Sequence, residues 1–199
     1  MSDHFDRWAP SYERDRRSRW LGRLQQRVLA LLELRPDDVL CDVGCGSGAA
    51  VRAAAAAGAT AIGVDPSSGM LARARQLASG LKQAHFVRGT ASHLPLRDGA
   101  CSVVLCTTSF HHHPDPAASV AEMARVLAPG GRLALADFST DSWPVRIADW
   151  LMRRWNRGHV GLPSTASLLT HAARVGLAQA RVVGLLPGNR YVALLAVRR

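Results

Sequence analysis

The sequence predicts an α/β fold, a largely parallel sheet covered by helices on both faces. Three observations carry this. Apolar runs rich in Val and Ile alternate with helical stretches through the middle of the chain, the pattern of βαβ units. Those runs are nearly continuous in apolar residues, as strands with both faces covered are. A glycine-rich turn joins the first run to the helix after it, in "VLCDVGCGSGAA" from Val39 to Ala50.

The elements follow in order. Strands are expected at 39–43, 60–64, 84–87, 101–106 and 131–137, with helices at 48–58, 67–79 and 116–131 between them. In the last helix Val120, Met123, Ala124 and Leu127 share one face, and "PGG" ends it. After Asp137 the pattern shifts. "SWPVRIADWLMRRW" carries Pro144 in a first helical turn and an apolar face of Ile147, Trp150 and Leu151. "STASLLTHAARVG" has a Ser/Thr N-cap and a glycine stop, and so forms another helix. "QARVVGLLPGNRYVALLAVRR" reads as two strands joined at "PGN".

The chain of 199 residues, 48% hydrophobic, is long enough for one domain with a real core. Its expected parts are an N-terminal helical cap (1–35), a cofactor-binding core (36–138), and lid helices with the C-terminal strands (139–199). No run of about 18 uncharged apolar residues predicts a membrane span. The charged N-terminus lacks the apolar region of a secretory signal, so the expected location is cytoplasmic. The four cysteines have no zinc spacing and read as reduced, mostly buried thiols. The formal charge is +10, and from Ser142 onward nine arginines accompany one acid, Asp149. That excess is either compositional bias or a surface for an anionic partner.

A glycine turn between strand and helix lets a ligand approach main chain at a helix N-terminus. Asp65 follows Gly44 by 21 residues, at the end of the second strand, where a carboxylate accepts hydrogen bonds from ribose hydroxyls. The two candidate ligands are NAD and S-adenosylmethionine (SAM). Asp42 would repel a pyrophosphate but suits an ammonium and a sulfonium. The third glycine, Gly48, comes one position too early for the dinucleotide motif, and no tyrosine–lysine pair for hydride transfer follows. SAM is the better match.

The series "FDRWAPSYE", "VLCDVGCGSG", "GVDPSSGML", "HLPLRDGACSVVLC", "SFHHHPDP" and "EMARVLAPGGRLALADF" spans residues 5 to 138 in one order. It resembles the class I SAM-dependent methyltransferases, specifically the type-11 group that includes ubiquinone/menaquinone methyltransferases and many natural-product O-methyltransferases. The resemblance implies a Rossmann-like, doubly wound, mostly parallel seven-stranded sheet with a short helical N-terminal cap. It implies a cofactor site formed by Tyr12, Asp42, Gly44, Cys45, Gly46, Gly48, Asp65, Pro66, Met70, Thr90, Ala91, Ser92, Cys106 and Thr107, with no metal. Thr90 stands where the family usually carries an aspartate for the adenine amino group. It offers a hydroxyl instead, and Ala91 a backbone N–H. Cys101 and Ser102 replace the usual Phe-Asp start of their strand.

Methyl transfer needs orientation and a dry site, and a hydroxyl acceptor also needs a base, for which histidine is suited. "FHHHPD" follows the fourth strand at the sheet edge that binds ligands. Relatives that resemble this chain pair the first histidine of that run with the aspartate of "ADF". Here these are His111 and Asp137, 26 residues apart. His111 is the expected base and Asp137 its orienting partner, with His112 the alternative; either histidine could instead simply cap the loop. All five tryptophans lie outside the central block, in the segments that cover the site in this family. They imply an apolar or ring-containing acceptor, or ordinary helix packing.

The expected function is methyl transfer to a small molecule, at a hydroxyl oxygen first and at ring carbon or nitrogen next. Nucleic-acid methylation and SAM binding without transfer stay open as alternatives. The strand-four exit "CTTSFHHH" lacks the Asn/Asp-Pro-Pro-aromatic element used on base amines, and no Pro-Cys nucleophile is present.

Overall fold

The computed structural model of the chain describes residues 15–156 and 158–199, together with Asp6, Ala9 and Tyr12. The remainder of the "FDRWAPSYE" stretch, Trp8 included, lies outside the described residues. Helix α1 (Arg16–Ala30) precedes strand β1 (Val39–Val43). There follow α2 (Ala49–Ala56), β2 (Thr60–Asp65), α3 (Ser68–Leu77), β3 (Ala84–Arg88) and β4 (Cys101–Thr107). A short 3-10 turn (Phe110–His112) leads to α4 (Pro116–Val126) and β5 (Leu127–Phe138). Helices α5 (Trp143–Trp155) and α6 (Thr165–Arg174) come before β6 (Leu177–Gly184) and β7 (Tyr191–Arg198).

The seven strands form one sheet in the order β3-β2-β1-β4-β5-β7-β6. The pairings from β3 through β5 are parallel, while β7 runs antiparallel to both β5 and β6. Successive strand residues face opposite sides, and both sides are packed. Cys41, Val104 and Leu135 join Met123 of α4 and Leu168 of α6 on one face. Leu40, Val103 and Ala134 join Val28 of α1, Val51 of α2 and Leu71 of α3 on the other. This is the doubly wound sheet that continuous apolar strands demand.

Local chemistry sets the helix starts. Asp115 accepts the Ala118 N–H at 2.9 Å ahead of Pro116, and Ser164 and Ser167 cap each other's backbone at α6. Helix α4 stops at Val126, earlier than the expected 131. Leu127 pairs with Cys101 in the sheet, and the ladder shifts register across Pro129–Gly131 before Arg132 pairs with Val103. The apolar face read for α5 is also reversed. Ile147, Trp150 and Leu151 are exposed, and Asp149 is the buried residue of the helix.

Chain order reverses between β1 and β4, so loops leaving their C-terminal ends diverge and open a crevice. The glycine turn after β1 and the histidine turn after β4 stand on either side of it.

Candidate active site

A cavity of about 1610 Å³ opens at this edge. A single drug-sized ligand usually takes roughly 300–1,000 Å³, so there is room for a nucleoside cofactor and an acceptor together. Helix α1 walls one side through Arg17, Leu21 and Gln25, and α5 the other through Val145, Ala148 and Met152.

The glycine turn is built by β2. The N–H groups of Gly44 and Cys45 both donate to the Val64 carbonyl, at 2.8 and 3.2 Å. The Gly46 N–H donates to Asp65 Oδ2 at 2.9 Å, and the Ser67 N–H to Asp65 Oδ1 at 2.9 Å. Asp65 thus ties the two βα turns together and still presents lone pairs to the cavity it lines. Gly44 has φ +74°, and a Cβ there would lie 2.6 Å from Ser109 Oγ. Gly46 has φ +52°, yet a Cβ would meet nothing within 4 Å. That open space beside main chain, on the cavity wall, leaves room for a ligand.

Tyr12, Gly44, Cys45, Gly46, Asp65 and Pro66 line the cavity, as do Met70, Thr90, Ala91, Ser92 and Thr107. Three of the residues expected at the cofactor do not. Gly48 begins α2 with φ +78°, and a side chain there would strike the Phe86 ring at 2.6 Å, so its work is packing. Cys106 is fully buried against Ser109 Oγ. Asp42 is fully buried beneath the turn, with neither carboxylate oxygen meeting a donor. Burial, and then the nearby Asp65 charge, push its carboxyl up to about 7. An uncompensated acid beneath an open glycine cradle fits a cationic group above it. Residues of this kind fit the ammonium and sulfonium of SAM and its ribose.

Beyond β4 the chain turns sharply. Thr108 has φ +53°, strained for a β-branched residue, and is held by its N–H to the Ala136 carbonyl and its hydroxyl to Tyr191 Oη, each at 2.8 Å. The turn carries His111 back over the end of β5. The His111 backbone N–H donates to Asp137 Oδ2 at 3.0 Å, and its Nδ1 lies 2.9 Å from Oδ2 and 3.1 Å from Oδ1. A carboxylate here fixes the proton on Nδ1 and leaves Nε2 as the basic nitrogen of a ring that lines the cavity. Asp137 itself is fully buried and touches the cavity only through His111. His112 also lines the cavity, with Nδ1 2.6 Å from the Gly158 carbonyl oxygen. Burial, then the neighbouring His111, push its pKa down to about 4, so it is neutral near pH 7.

The sequence reading missed a second histidine–carboxylate pair. Asp149 Oδ1 lies 2.7 Å from His159 Nε2 and accepts the Leu162 N–H at 2.8 Å, while Oδ2 accepts Arg153 Nε at 2.9 Å. The His159 ring stands 5.3 Å from that of His111. The Val160 and Gly161 N–H groups donate to the His111 carbonyl at 2.9 and 3.3 Å, closing the segment after α5 onto the histidine turn. Gln25 of α1 was missed too; it donates to Thr107 Oγ1 at 2.8 Å. Among the described residues no group of three or more His, Cys, Asp or Glu is placed to hold a metal ion. The tryptophans of α5 do not line the cavity. Its apolar wall comes from Leu21, Phe138, Val145, Met152 and Leu162, and Trp20 stacks on Phe138 at 6.1 Å.

Comparison with known proteins gives the class. Residues 41–135 match a family described as a methyltransferase domain. Over this stretch the chain is similar to methyltransferases. It is 35% identical over 161 residues to 27-O-demethylrifamycin SV methyltransferase of Amycolatopsis mediterranei, covering 78% of this chain and 59% of that one. To demethylmenaquinone methyltransferase of Beutenbergia cavernae it is 34% identical over 142 residues, covering 70% and 58%. It thus spans less than two thirds of these relatives. In fold it is similar to a SAM-dependent methyltransferase of Thermotoga maritima, described as a possible histamine N-methyltransferase. There the TM-score is 0.76 at 22% identity, with all of both chains covered.

Proposed function

We propose that the protein is a SAM-dependent methyltransferase acting on a small-molecule hydroxyl, with His111 as the base. The observation that carries this reading is the His111–Asp137 pair at the wall of a cavity whose other end is the glycine cradle. SAM supplies an electrophilic methyl group on a sulfonium. Asp42, beneath the cradle, provides the negative charge for that end, and Asp65 accepts from the ribose hydroxyls. Thr90 and Ala91, which line the same cavity, would hold the adenine, the Thr90 hydroxyl standing in for a carboxylate. His111 Nε2 takes the acceptor's proton, and Asp137 holds the ring in that tautomer and stabilises the imidazolium that forms. The apolar wall between α1 and α5 excludes water and suits an acceptor with an apolar body. The two relatives named above are called methyltransferases of a rifamycin and a menaquinone precursor, in keeping with such an acceptor.

Calorimetry tests the cofactor. SAM should bind and NAD should not, and Asp65→Ala should weaken SAM about ten- to a hundredfold, the worth of a charge-assisted hydrogen bond. Unchanged affinity in the variant, or NAD binding in place of SAM, would overturn the reading.

A further inference from the structure

Helix α5 is apolar on two sides. Its inner row, Val145, Ala148 and Met152, lines the cavity. Its outer side carries Trp143, Ile147, Trp150 and Leu151, exposed by 68, 51, 58 and 37%, and ends on Trp155 at 82%. Single exposed apolar residues are ordinary, but five on one helix about 20 Å long, three of them indoles, form a patch that calls for an occupant.

The charges around the patch choose it. Arg154 lies within the apolar sector, its guanidinium 5.2 Å from the Trp150 ring. Arg146, exposed, stands one turn before Trp150, while Arg153, one turn after it, is paired with Asp149. The only acid of α5, Asp149, is buried and turned inward. A second copy of this face would set arginines against arginines, which disfavours a symmetric dimer through it. Indoles seek the headgroup level of a bilayer and guanidinium groups seek its phosphates. A helix lying in the interface plane uses this combination of residues.

We infer that the outer face of α5 docks on an anionic lipid surface. The protein is then peripheral: no helix among the described residues is long and apolar enough to cross a membrane. The inference concerns the outer surface and stands whether or not the cavity transfers a methyl group.

Sedimentation of the full chain with vesicles tests it. Binding to phosphatidylcholine mixed with phosphatidylglycerol should exceed binding to phosphatidylcholine alone by at least about tenfold, and should fall with salt. Arg146→Gln with Arg154→Gln should weaken that binding about tenfold or more, as should Trp143→Ser with Trp150→Ser. Unchanged melting temperatures check that these exposed substitutions leave the fold intact. Equal partition to both vesicles, no binding to either, or variants that bind like the parent would overturn the inference. A dimer in sedimentation equilibrium that the tryptophan variants dissociate would assign the face to a second copy instead. Tighter binding to polyglutamate than to the anionic vesicles would assign it to an acidic protein.

Discussion

Two histidine–carboxylate pairs face each other in this molecule, one at the strand ends and one in the segment behind α5. Each carboxylate is buried, and each accepts from an imidazole and a main-chain N–H. They differ in the third donor. Asp137 takes a second main-chain N–H, from Phe138 at 2.8 Å in addition to that of His111. Asp149 takes the Arg153 guanidinium. Asp149 is thus shared between a guanidinium and an imidazole, at 2.9 and 2.7 Å. Asp137 has no guanidinium among its donors, only main-chain N–H groups and the His111 ring; the His111 and His159 rings both line the cavity. The two pairs therefore differ in what else holds the carboxylate, not in whether the imidazole reaches the cavity.

The largest consequence is kinetic. With an acceptor identified, His111→Ala should lower single-turnover rates at saturating SAM by about 10²–10⁴, the usual range for a lost general base. Asp137→Asn should also slow turnover without unfolding the protein. His159→Ala should leave the rate within about tenfold. If His159→Ala proves as slow as His111→Ala, the two pairs act as one and the contrast collapses.

The second consequence is one of stability. Asp149→Ala strands the Leu162 N–H and His159 in a buried segment, at a cost of about 1–3 kcal/mol. For a chain of this size that lowers Tm by about 2–12 °C. Thermal denaturation checks it, and no change in Tm would mean that the segment behind α5 is not held by this pair.

A third buried carboxylate, Asp42, has no donor at all, and it should show itself through pH. Its pKa in the folded, ligand-free protein is pushed up to about 7, above the unfolded value near 4. Between those values the folded state holds the extra proton, so ligand-free stability should fall as pH rises from about 4 through about 7. A cationic ligand prefers the ionised form, so its affinity should instead rise over the upper part of that range. Asp42→Asn should flatten both slopes. Calorimetry and melting curves across pH would read these opposite signs, and parallel slopes would remove Asp42 from the ligand's field.

The sequence made the first pair readable because strand ends are places a pattern locates. The alternation of apolar runs put His111 and Asp137 on one edge, and the glycine turn and Asp65 followed the same logic. Asp149 was visible as a solitary acid among arginines, but its partners were not. His159 and Leu162 sit in an irregular segment without a period to read. Helix α5 misled because both its faces are apolar, and periodicity cannot say which stripe turns inward. Gly48 and Asp42 looked like ligand contacts because spacing marks backbone shape and charge, not which atoms reach the cavity. Here Phe86 claims the first and burial hides the second.

Strand β7 lies between β5 and β6, although the chain makes it last of the three. During synthesis β6 emerges with no neighbour to pair with, and β5 waits with one edge bare. Only when residues 191–198 arrive does Val192 come level with Asp137 and Tyr191 with Phe138. The half of the sheet that binds the glycine turn can assemble early from local βαβ pieces. The strand that carries Asp137 is framed on both sides only by a late, long-range insertion, the slow kind of contact in folding. A nascent chain paused short of that point would leave β5 as an open edge able to pair with another molecule. The region that holds the proposed base is therefore also the last to be secured.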